Sequence, residues 1–428
     1  MDGAKVWDKK LAAYRRLFHR YPEPGWLTFF STVFLADHLT RAGYEVFVGK
    51  EILRDEVLMD APDEAQIACY EALAKEAARK VQIPKYDDWL ERMEHMTGVI
   101  AMMDTGKSGL VRAYRFDMDA LAVEESTHES RKPVQENFCS KYPGVSHACG
   151  HDGHMALGLA LAERLARERR ELSGKYIFIF QPAEEGVRGA YAFCHQWRFG
   201  KIDRLFCGHI GFAPEDTFVA GAKGFLATTK FDVDFYGKSA HAGLAPERGR
   251  NALLAAVNAM AAMQQIQRPQ GGITRLNVGQ LRGGESRNTI PARAWMQVET
   301  RGETAQLNRY MKEQALACIR EAAGSCGVQY KITFQGESVS ASSDGELTDL
   351  VLETARQCGG FREYVSTQDF GASDDGAVFM EMVQKQGGQA VFMLFGTKIN
   401  ALHHEAAFDF SEEVLKKAFD ILYQMARR

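Results

Sequence analysis

The chain has 428 residues, more than one compact core usually spans, so two domains are expected. Its composition, 46% hydrophobic and 25% charged, is typical of a folded globular protein. The 52 basic and 56 acidic residues give a net charge of -4, which argues against nucleic acid as the main partner because phosphate binding requires a basic surface.

The N-terminal segment lacks the features of a secretory signal. Charged residues of both signs interrupt its apolar residues, so residues 1–26 contain no continuous apolar run. No window of the sequence approaches the roughly 20 apolar residues that a membrane-spanning helix needs. The eight cysteines are scattered along the chain and do not form the dense framework of a small disulfide-bonded protein. These features predict a cytoplasmic protein with reduced thiols and no membrane partner.

The first half of the chain is predicted to alternate between helices and strands. Amphipathic helices occupy about the first 45 residues and are interrupted at Pro22 and Pro24, since proline cannot continue a helix. Residues 50–95 are rich in alanine and charged residues and predict an inserted helical segment. The apolar runs GVIAMM, LVRAYRFDMDAL and KYIFIF predict strands, with a helix from His154 between the second and the third. This order is typical of an α/β domain with a mostly parallel sheet, in which functional residues lie at the carboxyl ends of the strands.

Residues 222–336 show a different pattern. Their predicted elements follow the order strand–helix–strand–strand–helix–strand, which is typical of a ferredoxin-like α+β fold. We expect this segment to form a second domain that is inserted into the first, which then comprises residues 1–221 and 337–428.

The segment HACGHDGH places several metal-binding side chains next to an apolar helix. Cys149 and His151 alternate on a predicted extended or turning backbone, so both can face one ion. Thiolate and neutral imidazole are suitable ligands for zinc and related divalent metals. The alternative is that Cys149 packs as a buried apolar residue while His147 and His154 cap the helix.

Two adjacent carboxylates follow the strand KYIFIF. Because neighbouring side chains point to different sides, one of Glu184 and Glu185 can bind metal while the other faces the substrate as a general base. The alternative is a solvated acidic loop, which is the commoner role of an isolated glutamate pair. The uninterrupted apolar run Tyr176–Phe180 favours the metal site.

Histidines follow two further apolar strands. His209 lies in LFCGHIG, and His403 and His404 follow the last predicted strand. A single histidine in either place is more often structural. Five potential ligands nevertheless end or closely follow predicted strands, namely Cys149, His151, Glu185, His209 and one of His403 and His404. Gathered at one edge of a parallel sheet, they would suffice for two metal ions.

These motifs resemble those of the amidohydrolase branch of the M20 clan of co-catalytic metallopeptidases. The resemblance covers nearly the whole chain and keeps the order and spacing of the motifs RYPEPGW, RFDMDAL, HACGHDGH, FQPAEEG, GHIG, GKSAHAG, RNTIPARA and HHEAAFDF. It implies a catalytic domain like that of the dinuclear-metal aminopeptidases, with an inserted lid or dimerisation domain. It also implies two divalent metal ions, manganese or zinc, as cofactors.

The resemblance implies roles for individual residues. The implied metal ligands are Cys149, which bridges the two ions, and His151, Glu185, His209 and His404. Glu184 matches the general base, and His241 matches a histidine that reaches across a dimer to polarise the scissile carbonyl. Asn288 and Arg301 match residues that bind the substrate, and Asp117 matches a carboxylate that orients a metal ligand.

The implied reaction is hydrolysis of the amide bond of an N-acyl amino acid. The expected substrate is p-aminobenzoyl-glutamate, and the expected products are p-aminobenzoate and glutamate. An amidohydrolase of the hippurate or auxin-conjugate type, or a dipeptidase, is the first alternative, and a supporting subunit of a two-subunit hydrolase is the second. The presence of every implied ligand and of the base favours catalysis. The implied assembly is a homodimer, or a heterodimer with a homologous subunit, formed through the inserted domain.

Overall fold

The computed structural model describes residues 2–428, and these form two compact units. The first unit runs up to Lys223 and resumes over Ala341–Phe370 and Asp375–Arg428. The second unit comprises Gly224–Ser340 and Gly371–Asp374. The predicted assignment of residues 222–336 to a lid or dimerisation domain, and of the remainder to catalysis, stays a prediction.

The N-terminal part of the first unit begins with helices and continues with strands and helices in alternation. Its elements are, in chain order, α1 (Asp2–Arg20), α2 (Phe29–Arg41), β1 (Glu45–Phe47), α3 (Glu64–Lys80), α4 (Tyr86–Met93), β2 (Val99–Asp104), β3 (Val111–Asp117), α5 (Lys132–Gln135), α6 (His151–Arg167), β4 (Lys175–Gln181), α7 (Gly189–His195), β5 (Arg204–Ile210) and β6 (Thr217–Lys223). Helix α1 ends just before Pro22 and Pro24, which cannot continue it. Residues 50–95, predicted to be an inserted helical segment, contain α3 and α4, and their status as an insertion stays a prediction.

The second unit is an antiparallel sheet with two helices. It contains β7 (Ala227–Tyr236), α8 (Ala252–Gln264), β8 (Thr274–Gly283), β9 (Arg293–Gly302), α9 (Ala305–Cys326) and β10 (Gln329–Ser338). The strands lie in the order β10–β7–β9–β8, and neighbouring strands are antiparallel. Alternate residues of the two central strands, such as Phe231, Val233, Met296 and Val298, are buried together with residues of both helices. This arrangement confirms the predicted ferredoxin-like fold.

The C-terminal part of the chain returns to the first unit. It contains α10 (Gly345–Cys358), β11 (Glu363–Asp369), α11 (Gly376–Lys385), β12 (Gln389–Phe395) and α12 (Glu413–Ala426). Within residues 2–428, no helix combines the length and the apolar character that crossing a membrane requires.

The first unit is built on an eight-stranded sheet in the order β1–β2–β4–β3–β5–β12–β6–β11. Strands β4, β3, β5 and β12 lie side by side and run parallel. Strands β4 and β12 are buried on both faces, which explains their unbroken apolar sequences. The carboxyl ends of β3, β4 and β5, at Asp117, Gln181 and Ile210, therefore meet at one edge of the sheet. The predicted α/β class with a mostly parallel sheet is confirmed.

Helix α6 packs closely in this unit because two of its residues are glycines. A Cβ atom at Gly158 would approach the ring of Phe116 to 2.5 Å and that of Phe180 to 2.6 Å. A Cβ atom at Gly153 would approach the ring of Phe410 to 2.7 Å. Glycine at both positions therefore allows the N-terminal turns of α6 to lie near the carboxyl ends of the strands.

A buried ion cluster joins α1 to the start of α6. The guanidinium of Arg15 donates to Asp152 at 2.9 Å and also to Asp409. The ring of His19 lies between two carboxylates, with Nδ1 2.8 Å from Asp152 and Nε2 3.0 Å from Glu125. Removal of one partner from such a cluster leaves a buried charge unpaired, so the cluster strongly favours one arrangement of these elements.

This cluster is expected to make the protein less stable at acid pH. Burial opposes the charged form of Glu125, but its hydrogen bonds and the positive charges of His19 and Arg131 together outweigh burial and lower the pKa of Glu125 to about 2. A carboxyl group with a lowered pKa stabilises the fold above its unfolded-state pKa, and this contribution is lost as the pH falls towards the folded-state value. Burial also opposes charge on His19, but its bonds to Asp152 and Glu125 raise its pKa. The contribution of His19 is therefore complete in acid and is lost only as the pH rises through the raised value.

The urea midpoint of the metal-free protein, measured between about pH 6 and about pH 3, tests this expectation. Glu125→Gln should lower the free energy of unfolding at about pH 6 by about 1.5–3 kcal/mol, the usual contribution of a hydrogen bond to a charged group. The same variant should show a shallower pH dependence. Glu76→Gln, which removes an exposed partner of Lys80 on α3, is the control and should leave the profile unchanged. An unchanged slope in Glu125→Gln would contradict this account of the cluster.

Candidate metal centre

The motif HACGHDGH forms the start of helix α6. Gly150 adopts φ = 96°, a left-handed conformation that favours glycine, and the helix begins at His151. The prediction that the helix starts at His154 is therefore wrong by one turn, because a turn at glycine leaves no periodic signal in the sequence. His151 and His154 share one face of the helix, and both are buried.

Cys149, His151 and His209 form the first group of possible metal ligands. Their ligand atoms lie within 4.8 Å of one another, and Sγ of Cys149 is 3.5 Å from Nε2 of His209. Nδ1 of His151 donates to the carbonyl oxygen of Asp119 at 2.8 Å, and Nδ1 of His209 donates to that of Ile210 at 2.8 Å. Because a carbonyl oxygen only accepts, both rings carry a proton on Nδ1 and present Nε2 to the group.

Cys149, Glu185 and His404 form a second group. Their ligand atoms also lie within 4.8 Å of one another, and Nε2 of His404 is 3.4 Å from Oε1 of Glu185. His403 instead stacks on Phe212 with a ring distance of 4.1 Å, and its Nε2 donates to a backbone carbonyl. The structure thus brings His404, and not His403, into the group. Cys149 is common to both groups, and its predicted role as a ligand shared by two ions stays a prediction.

Glu184 lies in a strained turn beside these groups and forms a third group with His151 and Glu185. Its Oε2 is 3.9 Å from Nε2 of His151, and the residue is only 8% exposed. Ala183 and Val187, which flank Glu184 and Glu185, adopt φ of 57° and 61°. Residues other than glycine rarely adopt such angles, and they persist only where the surrounding structure holds them.

Asp119, which belongs to none of the predicted site residues, holds this turn. One of its carboxylate oxygens accepts from the amide of Glu184 at 3.0 Å, and the other accepts from the amide of Glu185 at 3.0 Å. Its backbone carbonyl accepts from His151. Asp119 thus orients three site residues at once. Its position two residues after Asp117, just beyond the end of β3, is a signal that could have drawn attention to it.

Asp117 and His154 form a supporting pair. Nδ1 of His154 donates to Asp117 at 2.5 Å, and Nε2 accepts from the amide of Ile210 at 3.0 Å. Both ring nitrogens of His154 are therefore engaged, which makes this residue structural rather than a ligand. Asp117 also pairs with Arg115 at 2.7 Å, and Oδ1 of Asp117 is 3.8 Å from Nε2 of His151. The predicted role of Asp117 in orienting a metal ligand stays a prediction.

The electrostatics of the site favour a bound cation. Burial raises the pKa of the Cys149 thiol well above its usual range, and the charge of Glu185 raises it further. Burial lowers the pKa of His209, which keeps this ring neutral. Burial also opposes charge on His151, but Asp117 and Cys149 raise its pKa well above the usual range. The negative groups around His151 thus favour positive charge at Nε2, which a divalent cation supplies in place of a proton.

The donor set fits divalent metal ions. One thiol, three imidazoles and two carboxylates lie in overlapping groups, namely those of Cys149, His151, His209, His404, Glu184 and Glu185. The buried Nε2 of His151 has no hydrogen-bond partner among the residues that the structure describes, which leaves its lone pair available to a metal. Sulfur and nitrogen donors suit zinc, and carboxylates also suit manganese.

In the second unit, His241 and Asn288 lie on neighbouring loops. The backbone of His241 pairs with that of Thr289, and the amide of Ala242 donates to the carbonyl oxygen of Asn288 at 2.9 Å. Nδ1 of His241 accepts from two backbone amides at 3.1 and 3.2 Å. The imidazole proton of His241 therefore lies on Nε2.

Arg301 lies elsewhere in the second unit. It pairs with Thr228 near the start of β7 and the end of β9, and its Nη2 donates to Glu299 at 3.0 Å. The loops of His241 and Asn288 adjoin the other ends of these two strands. The length of β9, at about 3.3 Å per residue, thus separates Arg301 from the other two predicted residues of this unit.

The fold and the site together define a class of protein. Ligand groups at the carboxyl ends of parallel strands, with a further carboxylate beside them, are the features of a metal-dependent hydrolase. The chain belongs to peptidase family M20/M25/M40, and the sequence model of this family matches residues 113–428.

Similar proteins match nearly the whole chain. One subunit of the p-aminobenzoyl-glutamate hydrolase of Escherichia coli is 39% identical over 420 residues, which are 97% of this chain and 95% of that protein. The indole-3-acetyl-aspartic acid hydrolase of Enterobacter agglomerans is 39% identical over 416 residues, which are 96% of this chain and 94% of that protein. The crystal structure of the aminobenzoyl-glutamate utilization protein of Klebsiella pneumoniae matches 99% of this chain and 96% of its own, with 34% identity and a TM-score of 0.84. The predicted family is confirmed.

Proposed function

We propose that this protein hydrolyses the amide bond of an N-acyl amino acid and that its preferred substrate is p-aminobenzoyl-glutamate. The observation that carries the proposal is the position of Glu184 beside two ligand groups that share Cys149. A carboxylate beside a metal site is suited to activate water for attack on a carbonyl. The names of two relatives at 39% identity support the substrate class.

In the proposed reaction, Glu184 transfers the proton. When bound, divalent ions at this site supply Lewis acidity to the amide carbonyl and lower the pKa of water. Glu184 accepts a proton from the attacking water and delivers it to the nitrogen of the leaving amine. Glu185 would hold a metal ion, and Asp119 orients both glutamates by accepting from their backbone amides.

Residues of the second unit bind the substrate in this proposal. Because Nδ1 of His241 accepts hydrogen bonds from two backbone amides, its Nε2–H is free to donate to the carbonyl oxygen of the substrate amide as negative charge develops there. Asn288 adds an amide donor, and the guanidinium of Arg301 can bind a carboxylate through two parallel hydrogen bonds. The separation of Arg301 from His241 supports the expectation that His241 acts across a dimer.

The identity of the acyl amino acid has two leading candidates. One relative is named for a glutamate conjugate and the other for an aspartate conjugate, at the same identity to this chain. Both names combine an aromatic acyl group with an acidic amino acid. An amidohydrolase of the auxin-conjugate type is therefore the second candidate, ahead of a hippurate-type enzyme or a dipeptidase. A purely supporting role is disfavoured because the proposed base and every proposed ligand are present.

We further propose a cytoplasmic dimer formed through the second unit, with a second copy or with a homologous subunit. Strand β8 is at an edge of the antiparallel sheet. Leu254 and Val257 on α8 are 49% and 40% exposed. A sheet edge and exposed apolar residues suit association between chains.

Hydrolysis by the purified chain, stripped of metal and then supplied with manganese or zinc, tests the proposal. The substrates are p-aminobenzoyl-glutamate, indole-3-acetyl-aspartate and hippurate. We expect metal-dependent turnover of p-aminobenzoyl-glutamate with a kcat/KM at least about tenfold above that of hippurate, which lacks a second carboxylate for charge-assisted hydrogen bonds. A preference for indole-3-acetyl-aspartate would favour the second candidate. Turnover only after a homologous subunit is added would favour the supporting role, and failure to bind any metal would contradict the site.

A further inference from the structure

The turn that carries Glu184 and Glu185 is held through its amides by Asp119 and through its carbonyls by Arg188. Nε of Arg188 donates to the carbonyl oxygen of Glu185 at 3.0 Å. The backbone amide of Arg188 donates to the carbonyl oxygen of Ala183 at 3.0 Å. Arg188 thus fixes the peptide groups on both sides of the two glutamates.

The guanidinium of Arg188 also binds Asp60. Nη1 of Arg188 forms an ion pair with Oδ2 of Asp60. The side chain of Arg188 is 18% exposed and that of Asp60 is 54% exposed. Gly25 leaves room for the guanidinium, because a Cβ atom there would approach Nη2 of Arg188 to 2.7 Å. The guanidinium thus lies between the turn and Asp60 and contacts both.

Asp60 belongs to the inserted helical segment, which contributes no residue to the metal-ligand groups among the residues described. It adopts φ = 49°, and the preceding carbonyl, of Met59, accepts from Nε1 of Trp26 at 2.8 Å. The carbonyl of Gly25, next to Trp26, accepts from the amide of Ala183 at 3.1 Å. The chain at Gly25 and Trp26 thus contacts both the segment around Asp60 and the turn that carries Glu184 and Glu185.

We propose that Arg188 is a positioning residue for the metal centre and that, through it, Asp60 of the inserted helical segment sets the orientation of Glu184 and Glu185. This inference rests on the proposed function, because it takes these glutamates as base and ligand. Arg188 fixes the peptide plane of Glu185, and Asp60 fixes the guanidinium that does so. The inserted segment therefore contributes to catalysis without supplying a ligand.

If the pair of Arg188 and Asp60 were purely structural, its removal would lower the melting temperature and leave kcat and metal affinity of the folded enzyme unchanged. A positioning role predicts that kcat and metal affinity fall together while KM changes little, because Arg188 orients the reacting groups rather than the substrate.

The experiment measures kcat, KM and the manganese Kd of the full chain, the last by calorimetric titration of metal-stripped protein. Arg188→Ala should lower kcat and manganese affinity by about 10–100-fold, as loss of a hydrogen-bond partner behind a metal ligand usually does. KM should change by less than about threefold. Asp60→Asn should lower kcat and manganese affinity by a smaller factor. The double variant should have the same kcat and manganese affinity as Arg188→Ala alone, because Asp60 acts only through Arg188. Arg188→Lys keeps the positive charge but loses the planar guanidinium, so its kcat and manganese affinity should lie between those of the wild type and Arg188→Ala.

Arg92→Ala is the matched control. Arg92 pairs with Glu51 at 2.7 Å in the same inserted segment, so its replacement removes a comparable ion pair away from the turn. It should leave kcat and the manganese Kd unchanged. Ethylguanidinium should restore part of the activity of Arg188→Ala and should have no effect on Arg92→Ala.

Wild-type kcat and manganese affinity in both Arg188→Ala and Asp60→Asn would overturn the inference and leave the proposed function intact. Metal-independent activity of the wild-type chain, or full activity of Glu184→Gln, would overturn the proposed function instead. If Arg188→Ala does not fold, Arg188→Lys and Asp60→Asn decide the question, because both keep the side-chain volume nearly constant.

Discussion

Glu184→Gln is expected to lower kcat by about 10²–10⁴-fold while leaving metal binding nearly unchanged. Glutamine has the shape of glutamate but cannot accept a proton from water, so the variant removes the proposed base and little else. Asp119 binds the backbone amide of residue 184, and this contact survives the substitution. The measurement combines steady-state kinetics with p-aminobenzoyl-glutamate and the manganese content of the purified variant.

Glu185→Gln is the matched control, because it changes the neighbouring carboxylate in the same turn. Glu185 lies in the group with Cys149 and His404, so its replacement should weaken metal binding as well as activity. Metal loss in Glu184→Gln together with full metal content in Glu185→Gln would show that the two roles are exchanged. Such a result would support a metal site at these residues, with Glu185 as the base and Glu184 as the ligand.

Cys149→Ala is expected to give the largest loss of bound metal among single replacements. Cys149 is the residue common to both ligand groups, so its removal takes a donor from each. Because one substitution weakens both ligand groups, the metal content should fall from about two ions per chain to less than one, and kcat/KM should fall by more than about 10³-fold. Metal analysis after gel filtration, with kinetics on the same sample, measures both effects.

Cys358→Ala controls for the removal of a thiol as such. Cys358 lies at the end of α10 and in neither ligand group. It should keep the wild-type metal content and activity. Two tightly bound ions in Cys149→Ala would contradict the shared role of this thiol and would require another bridging group.

Much of the fold could be predicted because its signals are local. The apolar run Tyr176–Phe180 predicts β4, since a strand buried on both faces needs apolar residues at successive positions. The strand and helix periodicities of residues 222–336 predict the ferredoxin-like unit in the same way. Candidate ligands such as Glu185 and His209 could also be selected, because parallel strands bring polar residues at their carboxyl ends to one edge.

The start of α6 required the tertiary structure, and so did the physical distinction between two adjacent histidines, of which the family resemblance had implied His404. His403 and His404 are adjacent and chemically identical, so the residue pattern alone leaves both open. A φ of 70° at His404 and the stacking of His403 on Phe212 distinguish them. A left-handed turn at Gly150 likewise sets where α6 begins. Such single-residue conformations have no period that a sequence pattern can reveal.

The supporting residues of the site were also decided only by the tertiary structure. Asp119 binds Glu184 across 65 residues of sequence, and Arg188 binds Asp60 across 128. The sequence by itself determined the family, the class of fold and the candidate metal ligands, because these depend on composition, motifs and short-range spacing. Contacts between distant parts of the chain decide which carboxylate holds the turn of Glu184 and Glu185 and which arginine connects this turn to the inserted helical segment. Local spacing in the sequence does not encode such contacts.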